Sequence, residues 1–255
     1  MEKTQYRESC RLDTYRVDRN EIGKPSGLWQ LMQEAASNQM EAQKPSYTDL
    51  VDAGQALMLA RVDLAIPEQI GLKEALVSSS WPCPSTRATF LRNYSLMRGS
   101  ETVAFAATQW TLVDLASRKI LKIDAVDFGN YWMGDYQELI HEKFRIDKET
   151  LTAMQTVGQK EVRYSDLDYN GHMNNTYYLD VLCDYVPELA AAVAGGSVIT
   201  SEMEAFFAVC PAKLIAVTGR SCAAMRSCCA RQMRRSTAFR QTVNISSAPS
   251  RQMGK

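Results

Sequence analysis

Between Ser26 and Gln43 one stripe recurs at three-to-four spacing, formed by Leu28, Leu31, Met32, Ala35, Ala36, Gln39 and Met40. That period is the face of an α-helix, and Pro25 and Pro45 bracket it, since proline suits a first helical turn and cannot continue a helix. The pattern then changes to strand-like runs at Leu57 to Ile66, Glu74 to Trp81, Arg87 to Met97 and Thr102 to Leu115. Arg98-Gly99-Ser100-Glu101 reads as the hairpin turn between the last two. From Gly129 to Gln155 the chain is polar, including Gly134-Asp135 and Asp147-Lys148-Glu149, and reads as a connection with room for a short helix. A strand is expected at Thr156 to Tyr164. A second helix follows through Tyr177, Tyr178, Val181, Leu182 and Tyr185, stopped by Pro187, and Val198 to Val209 and Leu214 to Thr218 are the next strand candidates. The order strand, helix, several strands thus occurs twice without a visible sequence repeat. Periodicity by itself supports an α+β chain of two helix-plus-sheet units, with a boundary near Leu151.

The length of 255 residues allows one large domain or two of about 120 residues, each able to bury its own core. With 45% hydrophobic and 23% charged residues the composition is that of a soluble globular protein. The first residues, Met1 to Glu8, hold no apolar signal region, and no run approaches the roughly 18 apolar residues of a membrane span, so a cytoplasmic location is expected. Seven cysteines, odd in number and without zinc spacing, predict reduced thiols and no metal. The net charge of zero hides a split. All 29 acids lie at or before Glu204, against 20 basic residues, a net −9, while the remainder carries nine basic residues and no acid. A basic arm for an acidic partner is the weaker reading of that tail, and no nucleic-acid partner is expected. From Ser221 onward Arg, Ser, Ala, Met and Cys dominate, Cys228 adjoins Cys229, and neither a helical nor a strand period is present. Residues 221–255 are therefore expected to be an aberrant segment translated out of frame.

Candidate chemistry gathers at Asp168, Asn170 and His172. In an extended segment, side chains two apart share a face, so an acid, an amide and an imidazole line one wall, and Gly171 permits a sharp bend. The helix entered through Asn174 or Asn175 as N-cap places free backbone N–H groups and the positive dipole end beside them, which suits a developing oxyanion. Asp166, two residues before Asp168, reads as a turn cap or the partner of a basic residue, and His141 reads as a surface residue.

This run resembles the acyl-acyl carrier protein thioesterases of bacteria and plants, whose signature is Ser-Asp-x-Asp-x-Asn-x-His-x-Asn-Asn followed by an aromatic-containing helix. Ser165 to Tyr178 reproduces it position by position. Ala56 to Leu64, Ser80-Trp81-Pro82 and Glu101 to Asp114 with Trp110 are similar to strands of the family's first domain, and the resemblance extends over roughly residues 5 to 220. It implies two hotdog units in one chain, each a long helix against a curved antiparallel sheet. Residues 1–150 would be the N-terminal unit with connector and 151–220 a C-terminal unit carrying the catalytic motif, left incomplete by the tail. The implied activity is hydrolysis of acyl-acyl carrier protein to free fatty acid, ending fatty acid synthesis, with no cofactor and the acyl-loaded carrier protein as partner. Asp168, Asn170 and His172 carry over as catalytic, with the identity of the general base open. Asn174, Asn175, Trp81 and Trp110 are the substrate-contact candidates, and Leu28, Met32, Met58, Leu59 and Phe90 join the two tryptophans as candidates for the acyl slot.

The family also places a Glu-Cys pair on a strand of its second domain. Phe207-Ala208-Val209-Cys210 occupies that stretch, so Cys210 matches the thiol and Val209 replaces the carboxylate. Two other functions stay open: an acyl-CoA thioesterase with the same catalytic residues, and a non-catalytic acyl-binding hotdog module favoured by Val209. The oligomeric state is open between a single chain and a homodimer.

Overall fold

A computed structural model of the chain describes residues 5–139, 155–169, 173–185, 198–204, 212–219, 222–228 and 241–247. Strand β1 (Tyr6–Arg11) precedes helix α1 (Pro25–Ala42), the short helix α2 (Tyr47–Asp52) and strands β2 (Gln55–Ala65), β3 (Ala75–Cys83), β4 (Phe90–Arg98) and β5 (Glu101–Asp114). After the connector come β6 (Gln155–Val162), α3 (Tyr177–Tyr185), β7 (Val198–Glu204), β8 (Ala212–Gly219), β9 (Cys222–Cys228) and β10 (Gln241–Ser247). Among the described residues ten strands share one sheet, in the order β1-β3-β4-β5-β2-β7-β9-β8-β10-β6. No described helix is long and apolar enough to cross a membrane.

The predicted helical stripe is the buried face of α1: Leu28, Trp29, Leu31, Met32, Ala35 and Gln39 are all buried. Pro25 sits in its first turn, where a missing N–H costs nothing. Gly27 is required there for a different reason. A Cβ at this position would lie 2.6 Å from the Arg16 carbonyl oxygen, so only glycine lets the preceding loop cross the helix so closely. The helix lies on β3 and β4, where the Ser78 hydroxyl donates to the Leu31 carbonyl at 3.2 Å and Trp29 meets Tyr94 edge-on at 5.1 Å. The predicted hairpin between β4 and β5 turns at Gly99, with φ +57°.

Pairing of Trp81 with Asn93 and of Asn93 with Ala107 puts these three residues on one face of the sheet. That face is covered by the connector: the Asn93 amide donates to the Gln137 carbonyl at 3.0 Å, and its oxygen accepts from the Gln137 N–H at 2.8 Å. Phe90, Arg92 and Tyr94 alternate with it and point to the α1 face, as does Trp110, which pairs with Phe90.

The halves of the sheet meet where β2 pairs antiparallel with β7, from Arg61 opposite Glu202 to Ala65 opposite Val198. Arg61 and Asp63, two residues apart on β2, form a bidentate ion pair, with both N–O distances 3.0 Å, and Asp63 is 1% exposed.

Two expectations need correction. The sheet of the second half is not wholly antiparallel, because β7 runs parallel to β9 and β8 parallel to β10. In the first half β5, its last strand, lies beside β2. In the second half β10 lies between β8 and β6, and moving one strand of an alternating series produces parallel neighbours. Second, β9 and β10 fall in the stretch whose pattern predicts no strand. A ladder is built from backbone donors and acceptors, so paired neighbours hold a segment extended even without side-chain alternation.

Candidate active site

Strand β6 ends at the buried Val162, and the chain turns at once through a 3₁₀ turn, Tyr164–Asp166. Asp166 fixes this turn twice: its carboxylate accepts from the Arg163 N–H at 2.8 Å and pairs with the Lys160 ammonium at 2.9 Å. Both roles expected of it, cap and ion-pair partner, are therefore present. A β-bridge joins Leu167 to Met173, and the Asn174 N–H donates to the Asp166 carbonyl at 2.8 Å. The described residues on either side of positions 170–172 are thus tied to each other, 166 and 167 to 173 and 174. Asp168 is half-buried, and the neighbouring Tyr169 is 81% exposed and stands edge-on to Tyr47 at 5.8 Å. Asn170 and His172 lie outside the described residues, as do His141, Val209 and Cys210.

The two adjacent asparagines divide the labour. Asn174 supplies the turn into α3: its side-chain oxygen accepts from the Thr176 N–H at 3.0 Å and from the Thr176 hydroxyl at 2.9 Å. An Asx turn of this kind satisfies N–H groups that a helix start leaves without intrahelical partners. Asn175 turns away to the N-terminal half, where its oxygen accepts the indole N–H of Trp29 at 2.9 Å. Two more bonds lie beside it. Gln30 donates to the Thr176 hydroxyl at 3.2 Å, and the Ser26 hydroxyl donates to the Asp180 carboxylate. Residues 26, 29 and 30 share one face of α1, and 176 and 180 share one face of α3, the spacings that align side chains on a helix. Below them, Met173, Tyr178, Leu179, Val181 and Leu182 join the same core as Leu28, Trp29 and Met32.

The two tryptophans expected at the substrate occupy opposite faces of the sheet. Trp81 lies under the connector: its indole N–H reaches the Asp135 carbonyl at 3.5 Å, and a Cβ on Gly134 would come within 2.4 Å of its ring. Trp110 lies in the α1 layer and donates to the Thr108 hydroxyl at 2.8 Å. Leu28, Met32, Leu59 and Phe90 are core residues on or beside that layer. A cleft of about 420 Å³ opens near Phe90, Phe128, Tyr131 and Arg87. None of Asp168, Asn174, Asn175, Trp81 and Trp110 lines it. It is linked to the signature through α2, since Tyr131 donates to the Pro45 carbonyl at 2.7 Å and Tyr47 touches Tyr169. Sequence reasoning missed Trp29, Ser26 and Gln30, whose only signal is polar capacity on an otherwise apolar helical face.

Residues 149–200 match the family model of the acyl-ACP thioesterase C-terminal domain. An acyl-ACP thioesterase from Bacteroides thetaiotaomicron superposes with a TM-score of 0.62 at 20% identity, over 72% of this chain and 74% of that one. The 12:0-ACP thioesterase from Umbellularia californica gives 0.61 at 16% identity, over 72% of this chain and 71% of that one. A stretch of 63 residues is 40% identical to UDP-N-acetylmuramoylalanine–D-glutamate ligase from Acetivibrio thermocellus. It amounts to 21% of this chain, which spans only 14% of that ligase. A long helix against a largely antiparallel sheet, with the signature turn leading into a second helix, defines an α+β hotdog-like fold. The sequence match over residues 149–200 and the shared fold are both to acyl-ACP thioesterases, to which this chain is similar.

Proposed function

We propose that the chain hydrolyses acyl-acyl carrier protein, releasing free fatty acid and the carrier thiol and so ending acyl-chain synthesis. The observation that carries this reading is the complete signature, Ser165 to Tyr178, inside the family-matched segment and leading into α3. In this reading water attacks the thioester carbonyl, His172 or Asp168 takes its proton, and Asn170 orients water or thioester through its amide. The negative oxygen that forms is stabilised by donors at the start of α3. The thiolate then leaves with a proton, and the acid is released. The acyl chain lies along the α1 layer of the first half, with Leu28, Met32, Leu59, Phe90 and Trp110 as lining. Asn174 and Asn175 act as supports at the start of α3, where each accepts a hydrogen bond from within the protein, and Trp81 stands on the opposite face of the sheet beneath the connector. Cys210 has the part of the family's strand thiol, with Val209 in place of its acid. The acidic carrier docks against Lys and Arg at the pocket mouth.

The units are 1–150 and 151–220, each a hotdog of a double-hotdog chain. The segment 221–255 is a shifted-frame ending, supported by its nine-to-nothing excess of basic over acidic residues after Glu204. Resequencing that returns one uninterrupted frame with this ending rejects that part. The test of the activity is free-thiol release by the purified chain from acyl-carrier protein and from acyl-CoA at equal concentration. Faster release from the carrier supports the proposal. Faster release from acyl-CoA favours the nucleotide-recognising alternative, and tight acyl binding without release favours a non-catalytic acyl-binding module.

A further inference from the structure

We infer that Trp29 is a positioning residue for the signature turn, acting through Asn175. This rests on the thioesterase reading for its effect on rate, and on geometry alone for its effect on the turn. Trp29 is fully buried, its ring is held edge-on by Tyr94 at 5.1 Å, and its single N–H donor points at the Asn175 oxygen at 2.9 Å. An indole held on two sides is a rigid donor, with no rotamer freedom left to lose. Asn175 follows His172 by three residues, and between them Met173 is bridged to Leu167 and Asn174 is bonded to the Asp166 carbonyl. Asn175 therefore continues directly from the closed base of the turn, residues 166, 167, 173 and 174, and its anchoring to Trp29 fixes that base against α1. The flanking bonds, Gln30 to Thr176 one residue further and Ser26 to Asp180 a turn beyond, hold α3 against α1. Among the described residues, the Trp29 bond is the contact from α1 nearest in sequence to the turn. The N-terminal half thereby sets the geometry of chemistry that the C-terminal half carries.

The experiment uses the full chain and Trp29→Phe, which keeps the aromatic bulk and removes the donor. It also uses Asn175→Ala and the double variant. With acyl-carrier protein as substrate, each single variant should lose about tenfold to a hundredfold in kcat, the scale of a small misplacement of reacting groups, with KM nearly unchanged. The double variant should lose no more than the worse single, because both changes break one bond. The chain has two histidines, His141 and His172, so their ring NMR signals are separated by His172→Ala alone. Trp29→Phe should move the His172 signal and its titration midpoint and leave His141 in place. Additive losses in kcat, or a His172 signal unmoved in a folded Trp29→Phe protein, would overturn the inference. If the unaltered chain releases no thiol, the activity reading fails, and the His172 signal still decides whether Trp29 positions the turn.

Discussion

Asp180 lies half-buried beneath the first turn of α1, and burial raises its carboxyl above the usual range although Ser26 donates to it and Lys24 is near. An acid with a raised folded pKa is harder to ionise in the fold than in the unfolded chain. Its contribution to stability is full below the unfolded value of about 3.9 and declines as pH rises through the folded value. Asp180→Asn keeps an acceptor for Ser26 and removes the buried charge. Urea denaturation at pH 7 should find it as stable as the parent or more so, with the difference gone near pH 4. Greater destabilisation at pH 7 than at pH 4 would contradict this. The neighbouring bonds illustrate what a sequence conceals. Asp168, Asn170 and His172 stand out in the sequence because they are close in the chain and their types match a chemistry, while Asn170 and His172 lie outside the described residues. Trp29 and Asn175 are 146 positions apart, and each has an ordinary explanation alone, as helix core and helix cap.

Helix α2 shows how local bonds sustain an element too short to bury a stripe. Of its six residues only Leu50 is buried, so no period marked it. It is held instead by a capping box: the Ser46 hydroxyl accepts from the Asp49 N–H at 3.1 Å, and the Asp49 carboxylate accepts from the Ser46 N–H at 2.7 Å. Ser46→Ala should cost about 1 kcal/mol, read from urea midpoints. The Lys44 ammonium, then the bonds to Ser46, hold the Asp49 carboxyl down at about 2. A depressed acid stabilises the fold above its unfolded pKa, and that contribution is lost as pH falls through the folded value. The gap in stability between the parent and Asp49→Asn should therefore be full at pH 7 and close between pH about 4 and about 2. A gap that persists at pH 2 would contradict the assignment. The helix α1 and strands β2 to β5 were legible because each buries a periodic face. The edge strand β1 was expected before α1 by order alone and had no bounds, because half its residues are exposed and charged side chains take the place of an apolar row. Strands β9 and β10 owe their pairing to neighbours, and a single-segment pattern does not contain that information.

At the scale of the molecule, β2 joins the two halves, and the Arg61–Asp63 pair lies on it where β7 begins to pair. Removing Asp63 takes from the half-buried Arg61 a carboxylate held at two points, so Asp63→Ala should cost about 3 to 5 kcal/mol, whereas replacing both by apolar residues of similar volume should recover much of that loss. Equal losses from the single and double variants in urea denaturation would show that the pair does not act as a unit. In the proposed function, the same junction and the α1–α3 bonds tie the half that would bind an acyl chain to the half that would cut the thioester. The most direct test of that account is steady-state release of carrier thiol from acyl-carrier protein by the unaltered chain and by His172→Ala. Turnover by the former, reduced about a hundredfold or more in the latter, is the predicted result. Equal release by both proteins would contradict the account.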